Sequence, residues 1–139
     1  MGDGALIFAV DDDPGFLRSV VRVLRLNGLT VRAFPSAEAV EQHGDLANVA
    51  CLLLDIHLGG MSGIDLHRRL KQKGSAVPVI FMTGDDGAAP RRSAQQEDCF
   101  AYLQKPFAES DLIAAITRAL TAHEAGHRSM LSGPSVPMT

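Results

Sequence analysis

The sequence predicts an α/β fold built on a five-stranded parallel sheet, and three observations carry that reading. Short apolar runs recur along the chain, at about 5–10, 29–34, 49–54, 77–82 and 99–103. Stretches with helical spacing or helix caps lie between them, and strands that alternate with helices pair in parallel through crossovers. Four of the runs end on a charge or a hydroxyl: Asp11-Asp12, Asp55, Thr83 and Lys105. In a parallel sheet the carboxyl ends of the strands share one edge, and ligands bind there.

The first strand is read at 5–10 and the first helix at 14–26. Asp13 is a suitable N-cap, and Pro14 fits the first turn, where its missing N–H has no intrahelical partner to lose. Leu17, Val20, Val21 and Leu24 recur at i, i+3, i+4, i+7 and make one apolar face. Asn27-Gly28 stops the helix. The second strand, 29–34, alternates, with Leu29, Val31 and Ala33 on one face and Thr30 and Arg32 on the other, as on an edge strand. A short helix starts near Ser36 and ends at Gly44. The third strand, 49–54, is apolar throughout, as a central parallel strand should be.

Ser62 and Asp65 fit a capping box for a third helix at 63–73, stopped by Gly74. The fourth strand, 77–82, tolerates Pro78 near its start, where one ladder donor is lost. Residues 84–89 read as loop, and Pro90 opens a short fourth helix through about Gln96. A fifth strand at 99–103 precedes a fifth helix at 108–121. Glu109 and Asp111 suit the positive end of that helix's dipole, and Leu112, Ile113, Ile116 and Leu120 form its apolar face. Residues 122–139 hold Gly, Ser and Pro without periodicity and read as a disordered tail.

At 139 residues the chain is expected to form one domain, at 4–121, large enough for a real core. The net charge of −3 gives no basic footprint for direct nucleic-acid binding. No apolar run approaches the ~20 residues of a membrane span, and the N-terminus lacks a basic region before its apolar run. Leu6 stands where a myristoylation motif needs Ser or Thr. Cys51 lies in an apolar run and makes no CxxC with Cys99, so it reads as a buried, reduced thiol. These features place the protein in the cytoplasm. His123 and His127 are spaced i, i+4, but with no third ligand nearby they are not read as a metal site.

The strand-end residues support a sharper reading. In isolation Asp12 and Asp13 read equally well as helix caps, Lys105 as a surface lysine and Thr83 as a turn residue. Asp55 shifts the balance, because it ends a fully apolar strand and is either a carboxylate at a polar edge or a costly buried charge. Carboxylates gathered together repel and raise one another's pKa unless a cation joins them. Mg²⁺ suits a few carboxylates with phosphate oxygens and waters, and a lysine at the same edge stabilises charge on a transferring phosphoryl group.

Four stretches then identify a family resemblance: AVDDDP (9–14), LLLDIHLGGMSGIDL (52–66), PVIFMTGD (78–85) and YLQKPF (102–107). With their spacing, the chain closely resembles a bacterial two-component response-regulator receiver (CheY-like) domain over about 4–121, most of all receivers that precede a helix-turn-helix output. The resemblance implies a doubly wound, flavodoxin-like sheet of order 2-1-3-4-5 with five helices. It implies that Asp55 is the phosphoacceptor and that Mg²⁺ is held by Asp11, Asp12, Asp55 and the main-chain carbonyl of His57. Thr83 would contact the phosphoryl group, Lys105 would pair with it, and Tyr102 would be the switch aromatic; read locally, Tyr102 is also an ordinary half-buried strand residue.

A sensor histidine kinase or phosphotransfer protein would be the donor. A downstream protein would read the face made by the fourth helix, fifth strand and fifth helix, a face that also leaves room for weak homodimerisation.

Three positions depart from the family pattern. Gly59 replaces the usual proline, so a more mobile loop after Asp55 is expected. Asp98 replaces a common glycine, and Pro90 falls in the first turns of the fourth helix. Asp85, Asp86, Glu97 and Asp98 make that side acidic, and His57 and Asp85 are placed to tune dephosphorylation. The expectation is a single-domain phosphorylation switch, not an enzyme with a separate substrate. The alternative is a binding module of the same fold that works without phosphorylation. A small phosphohydrolase is disfavoured, since Ile56 and His57 give no second acid after Asp55 and the chain has no room for a cap domain.

Overall fold

The computed structural model describes residues 5–84 and 99–132. Strands β1 (Leu6–Val10), β2 (Thr30–Phe34), β3 (Val49–Asp55), β4 (Val79–Thr83) and β5 (Ala101–Gln104) form one sheet. Every pairing is parallel and the order is β2-β1-β3-β4-β5, the flavodoxin-like order expected. The helices are α1 (Pro14–Leu26), α2 (Ala37–His43), α3 (Gly63–Gln72) and a C-terminal helix (Glu109–Ser132). The helix expected from Pro90 to Gln96 lies outside the described residues.

The central strands are apolar throughout because both faces of the sheet are covered. Alternate residues go to opposite layers. On β3, Leu52 and Leu54 join α2 and α3, while Cys51 and Leu53 join α1 and the C-terminal helix. On β4, Val79 and Phe81 face the first layer, and Ile80 and Met82 the second. Each leucine fully buried this way contributes roughly 1.5–3 kcal/mol.

Caps fix the helix ends. The Asp13 side chain accepts the Gly15 and Phe16 N–H groups at 3.0 and 3.2 Å, so Asp13 is the α1 N-cap. Ser36 caps α2 through Ala39, and Ser62 caps α3 through Asp65.

Some features differ from the sequence reading, including β5, which runs from Ala101 to Gln104 rather than 99–103. On β2, Val31 and Phe34 are buried but Ala33 is exposed, since it borders an open groove beside Leu17 and Val21 of α1. β4 begins at Val79 rather than 77 and includes Thr83. The C-terminal helix continues to Ser132, so the stretch after 121 expected to lack structure is helical that far. Its alanines, leucine and methionine are good helix formers, and the single Gly126 weakens a helix by only about 1 kcal/mol relative to alanine.

Candidate functional site

The three acids at 11–13 follow β1 and divide their tasks. Asp13 caps α1. Asp11 is buried, 1% exposed, and Asp12 is exposed. Asp55 closes β3 at 4% exposure, and Thr83 closes β4 fully buried. Lys105 follows β5, and its own N–H donates to the Thr83 carbonyl at 2.7 Å. Because all five strands run the same way, these residues meet at one sheet edge.

Lys105 joins the carboxylates. Its Nζ donates to Asp11 Oδ2 at 2.6 Å and to Asp55 Oδ2 at 3.2 Å. Asp11 Oδ1 accepts the Asp13 N–H at 2.9 Å, and Asp55 Oδ1 accepts the His57 N–H at 3.0 Å. Burial pushes the Asp55 carboxyl above its ordinary pKa, as does the charge of Asp11; the His57 N–H and Lys105 oppose this. Burial disfavours the Lys105 ammonium, but its bond to Asp11 and the charges of Asp55 and Asp11 outweigh that and raise its pKa.

Asp12 accepts the Gly59 N–H at 3.1 Å, and Asp11, Asp12 and Asp55 each offer an oxygen within 4.8 Å of the others. One ammonium faces two of these three carboxylates, so the group retains excess negative charge. Hard oxygen donors with one exposed member fit a small divalent cation that keeps some of its water, as Mg²⁺ does.

The remaining expected residues surround this centre. His57 is exposed. Tyr102 is partly buried, pairs in register with Phe81 and packs on the α2–α3 layer. Thr83 lies two residues beyond Phe81 and shares its face. Asp85, Pro90 and Asp98 fall outside the described residues, as does the His127 side chain. In the loop after Asp55, where glycine replaces the family's proline, the Gly59 N–H donates to Asp12. Glycine retains the N–H that proline lacks.

Two residues escaped the sequence reading. The Phe16 ring centroid lies 4.1 Å from Lys105 Nζ, and Phe107 meets that ring edge-on at 5.8 Å. Phe16 lies at the N-terminal end of the apolar stripe of α1, four residues before Val20, so by spacing alone it reads as core. Gly63 is the other, because it opens α3 directly against the backbone of Asp55.

The family profile described as "Response regulator receiver domain" matches residues 7–117. The chain is 37% identical over 117 residues to "Response regulator protein TmoT" of Ectopseudomonas mendocina, covering 84% of this chain and 53% of that protein. It is 34% identical over 121 residues to "Response regulator protein TodT" of Pseudomonas putida, covering 86% and 53%. It thus spans about half the length of these relatives. A solved response regulator receiver domain protein from Clostridium thermocellum superposes with a TM-score of 0.80 at 25% identity, covering 87% of this chain and 98% of the other. With the fold, the strand-end residues and these matches together, the chain belongs to the response regulator receiver domain family.

Proposed function

We propose that Asp55 accepts a phosphoryl group from the phosphohistidine of a sensor histidine kinase or phosphotransfer protein. The observation that carries this reading is the pair of hydrogen bonds that Lys105 donates to Asp11 and Asp55 at the carboxyl edge. It sets a cation beside a buried carboxylate at the end of a central strand.

A carboxylate oxygen of Asp55 forms the new O–P bond as the P–N bond breaks, and the departing imidazole nitrogen keeps the electron pair and takes a proton. Lys105 stabilises charge on the transferred group. Thr83 offers its hydroxyl to a phosphoryl oxygen. Asp11, Asp12, Asp55 and the His57 carbonyl are the residues that would hold Mg²⁺, which when bound neutralises charge on the phosphoryl oxygens.

The acyl phosphate is open to hydrolysis, so the signal is temporary. The added charge draws Thr83 inward, and Tyr102, on the same face of the sheet, follows. That biases a two-state equilibrium. The change is read by a protein partner at a face that includes β5 and the C-terminal helix. The working unit is the receiver at 4–121, acting in the cytoplasm. Among the described residues, no helix is long and apolar enough to cross a membrane.

The test is intact mass after incubation with a small phosphodonor, with and without Mg²⁺, for wild type and Asp55→Asn. One Mg²⁺-dependent phosphoryl adduct, absent from the variant, is expected. No adduct on wild type would replace this reading with a module that binds its partner without phosphorylation.

A further inference from the structure

The loop between β3 and α3 donates alternate backbone N–H groups to three different carboxylates. His57 donates to Asp55 at 3.0 Å, Gly59 to Asp12 at 3.1 Å, and Met61 to Glu38 at 2.9 Å. The first two acceptors belong to the acidic trio at the sheet edge. Glu38 does not. It lies on α2, outside every motif read from the sequence.

We propose that Glu38 is a positioning residue for the cation site: it anchors the far end of the 56–61 loop so that His57 and Gly59 stay aligned with Asp55 and Asp12. This rests on the reading that those carboxylates hold Mg²⁺. A cation drawing on Asp12 and Asp55 competes for the same carboxylates that accept from Gly59 and His57. Glu38 is the anchor that such an ion leaves untouched.

The local geometry suits this task. Gly60 has φ of 84°, and a β-carbon there would lie 2.7 Å from Glu38 Oε2, so the glycine admits the carboxylate close to the chain. Glycines at 59 and 60 otherwise leave the loop with much backbone freedom, which a fixed anchor removes. The anchor is itself braced. Glu41, three residues on, binds Arg69 at 2.7 Å and lies 3.6 Å from Lys73, tying α2 to α3. Alignment of ligands by neighbouring hydrogen bonds commonly changes metal affinity by about 10- to 100-fold. An anchor acting through the loop belongs at the lower end.

The test uses the full chain as wild type, Glu38→Ala, Glu38→Gln, Gly59→Ala and Gly59→Pro. Amide hydrogen exchange at Met61 and Gly59 is measured without metal. Mg²⁺ affinity is measured by titration, and phosphoryl-adduct formation is followed against Mg²⁺ concentration.

Glu38→Ala should expose the Met61 amide to exchange and weaken Mg²⁺ binding by about tenfold. It should raise the half-saturating Mg²⁺ for adduct formation and leave the rate at saturating Mg²⁺ nearly unchanged. Glu38→Gln keeps an acceptor and should restore most of the affinity. Gly59→Ala keeps its N–H, and its β-carbon meets Asp12 Oδ2 at an ordinary 3.8 Å, so it should resemble wild type. Gly59→Pro, the residue usual in the family, loses the N–H to Asp12 but leaves the Glu38 anchor at Met61, so it should keep most of the Mg²⁺ affinity.

Unchanged Met61 exchange or unchanged Mg²⁺ affinity in Glu38→Ala overturns the proposal, whatever the phosphorylation result. Wild type that binds Mg²⁺ but takes no phosphoryl group would sink the proposed function, while the affinity loss in Glu38→Ala would still support the anchor.

Discussion

A β-carbon on Gly63 would lie 2.2 Å from the carbonyl oxygen of Asp55 and 3.0 Å from its carbonyl carbon. The obstacle is backbone, which cannot rotate away as a side chain can. The Gly63 N–H also donates to the Ile56 carbonyl at 3.1 Å, locking the start of α3 onto the end of β3. Gly63→Ala should therefore destabilise the fold by roughly 1–3 kcal/mol. It should also slow phosphoryl-adduct formation in the protein that remains folded. Denaturant unfolding and intact mass check the two effects, and wild-type stability in the variant would show that the backbone yields freely.

Lys105 is the cation bonded to both Asp11 and Asp55. Replacing it with methionine leaves two buried carboxylates facing each other without it. Lys105→Met should lose about 1–3 kcal/mol of stability at neutral pH and give little adduct. Because a divalent cation supplies the missing charge, Mg²⁺ should raise the Tm of the variant more than that of wild type. An equal rise in both would argue against charge compensation at this edge.

The raised pKa of Asp55 makes a signed prediction. The folded state holds the Asp55 proton more tightly than the unfolded state does, so stability falls as pH rises from the ordinary carboxylate value through the folded one. Above both values the penalty is complete. Metal-free Asp55→Asn should thus melt a few degrees above wild type at neutral pH, with the difference vanishing in acid. Thermal melts from pH 3 to 8 decide this, and equal Tm values at neutral pH would count against it.

The two thiols should react unequally. Cys51 is fully buried and its pKa is pushed up to about 12 by burial, whereas Cys99 is partly exposed. Native protein at pH 8 should take one alkyl group from iodoacetamide, at Cys99, and a second only when unfolded. Peptide mapping of the product checks this. Rapid native labelling of Cys51 would mean that the β3 layer opens readily.

The parallel strands and the strand-end residues were legible because they follow from local signals, while the sheet order came from the family resemblance. Continuous apolar runs marked β3 and β4, and polar residues at their ends had few places to go except the shared edge. Asp13 and Ser62 were legible as caps from residue type and position. Phe16 and Glu38 were not, since each acts on a partner remote in sequence, Lys105 and Met61. Gly63 followed a cap signal at Ser62 that explained the helix start without requiring glycine; only the proximity of the Asp55 carbonyl requires it. The hydrogen bond from Gly59 to Asp12 was not legible either, because it joins residues 47 positions apart in the chain. The helix beyond 121 was misjudged because glycine and serine were weighed above the helix formers around them.

The alternation of β3 and β4 between two layers has a consequence at their ends. Asp55 continues the row of Cys51 and Leu53, on the side of α1 and the C-terminal helix. Thr83 continues the row of Val79 and Phe81, on the side of α2 and α3. Along most of their length the strands act as a partition, keeping a disturbance in one layer from the other. At the carboxyl edge the partition stops, and a single group lodged between Asp55 and Thr83 leans on both sides at once. A chemical event a few ångströms across can in this way be felt on both outer surfaces of the molecule.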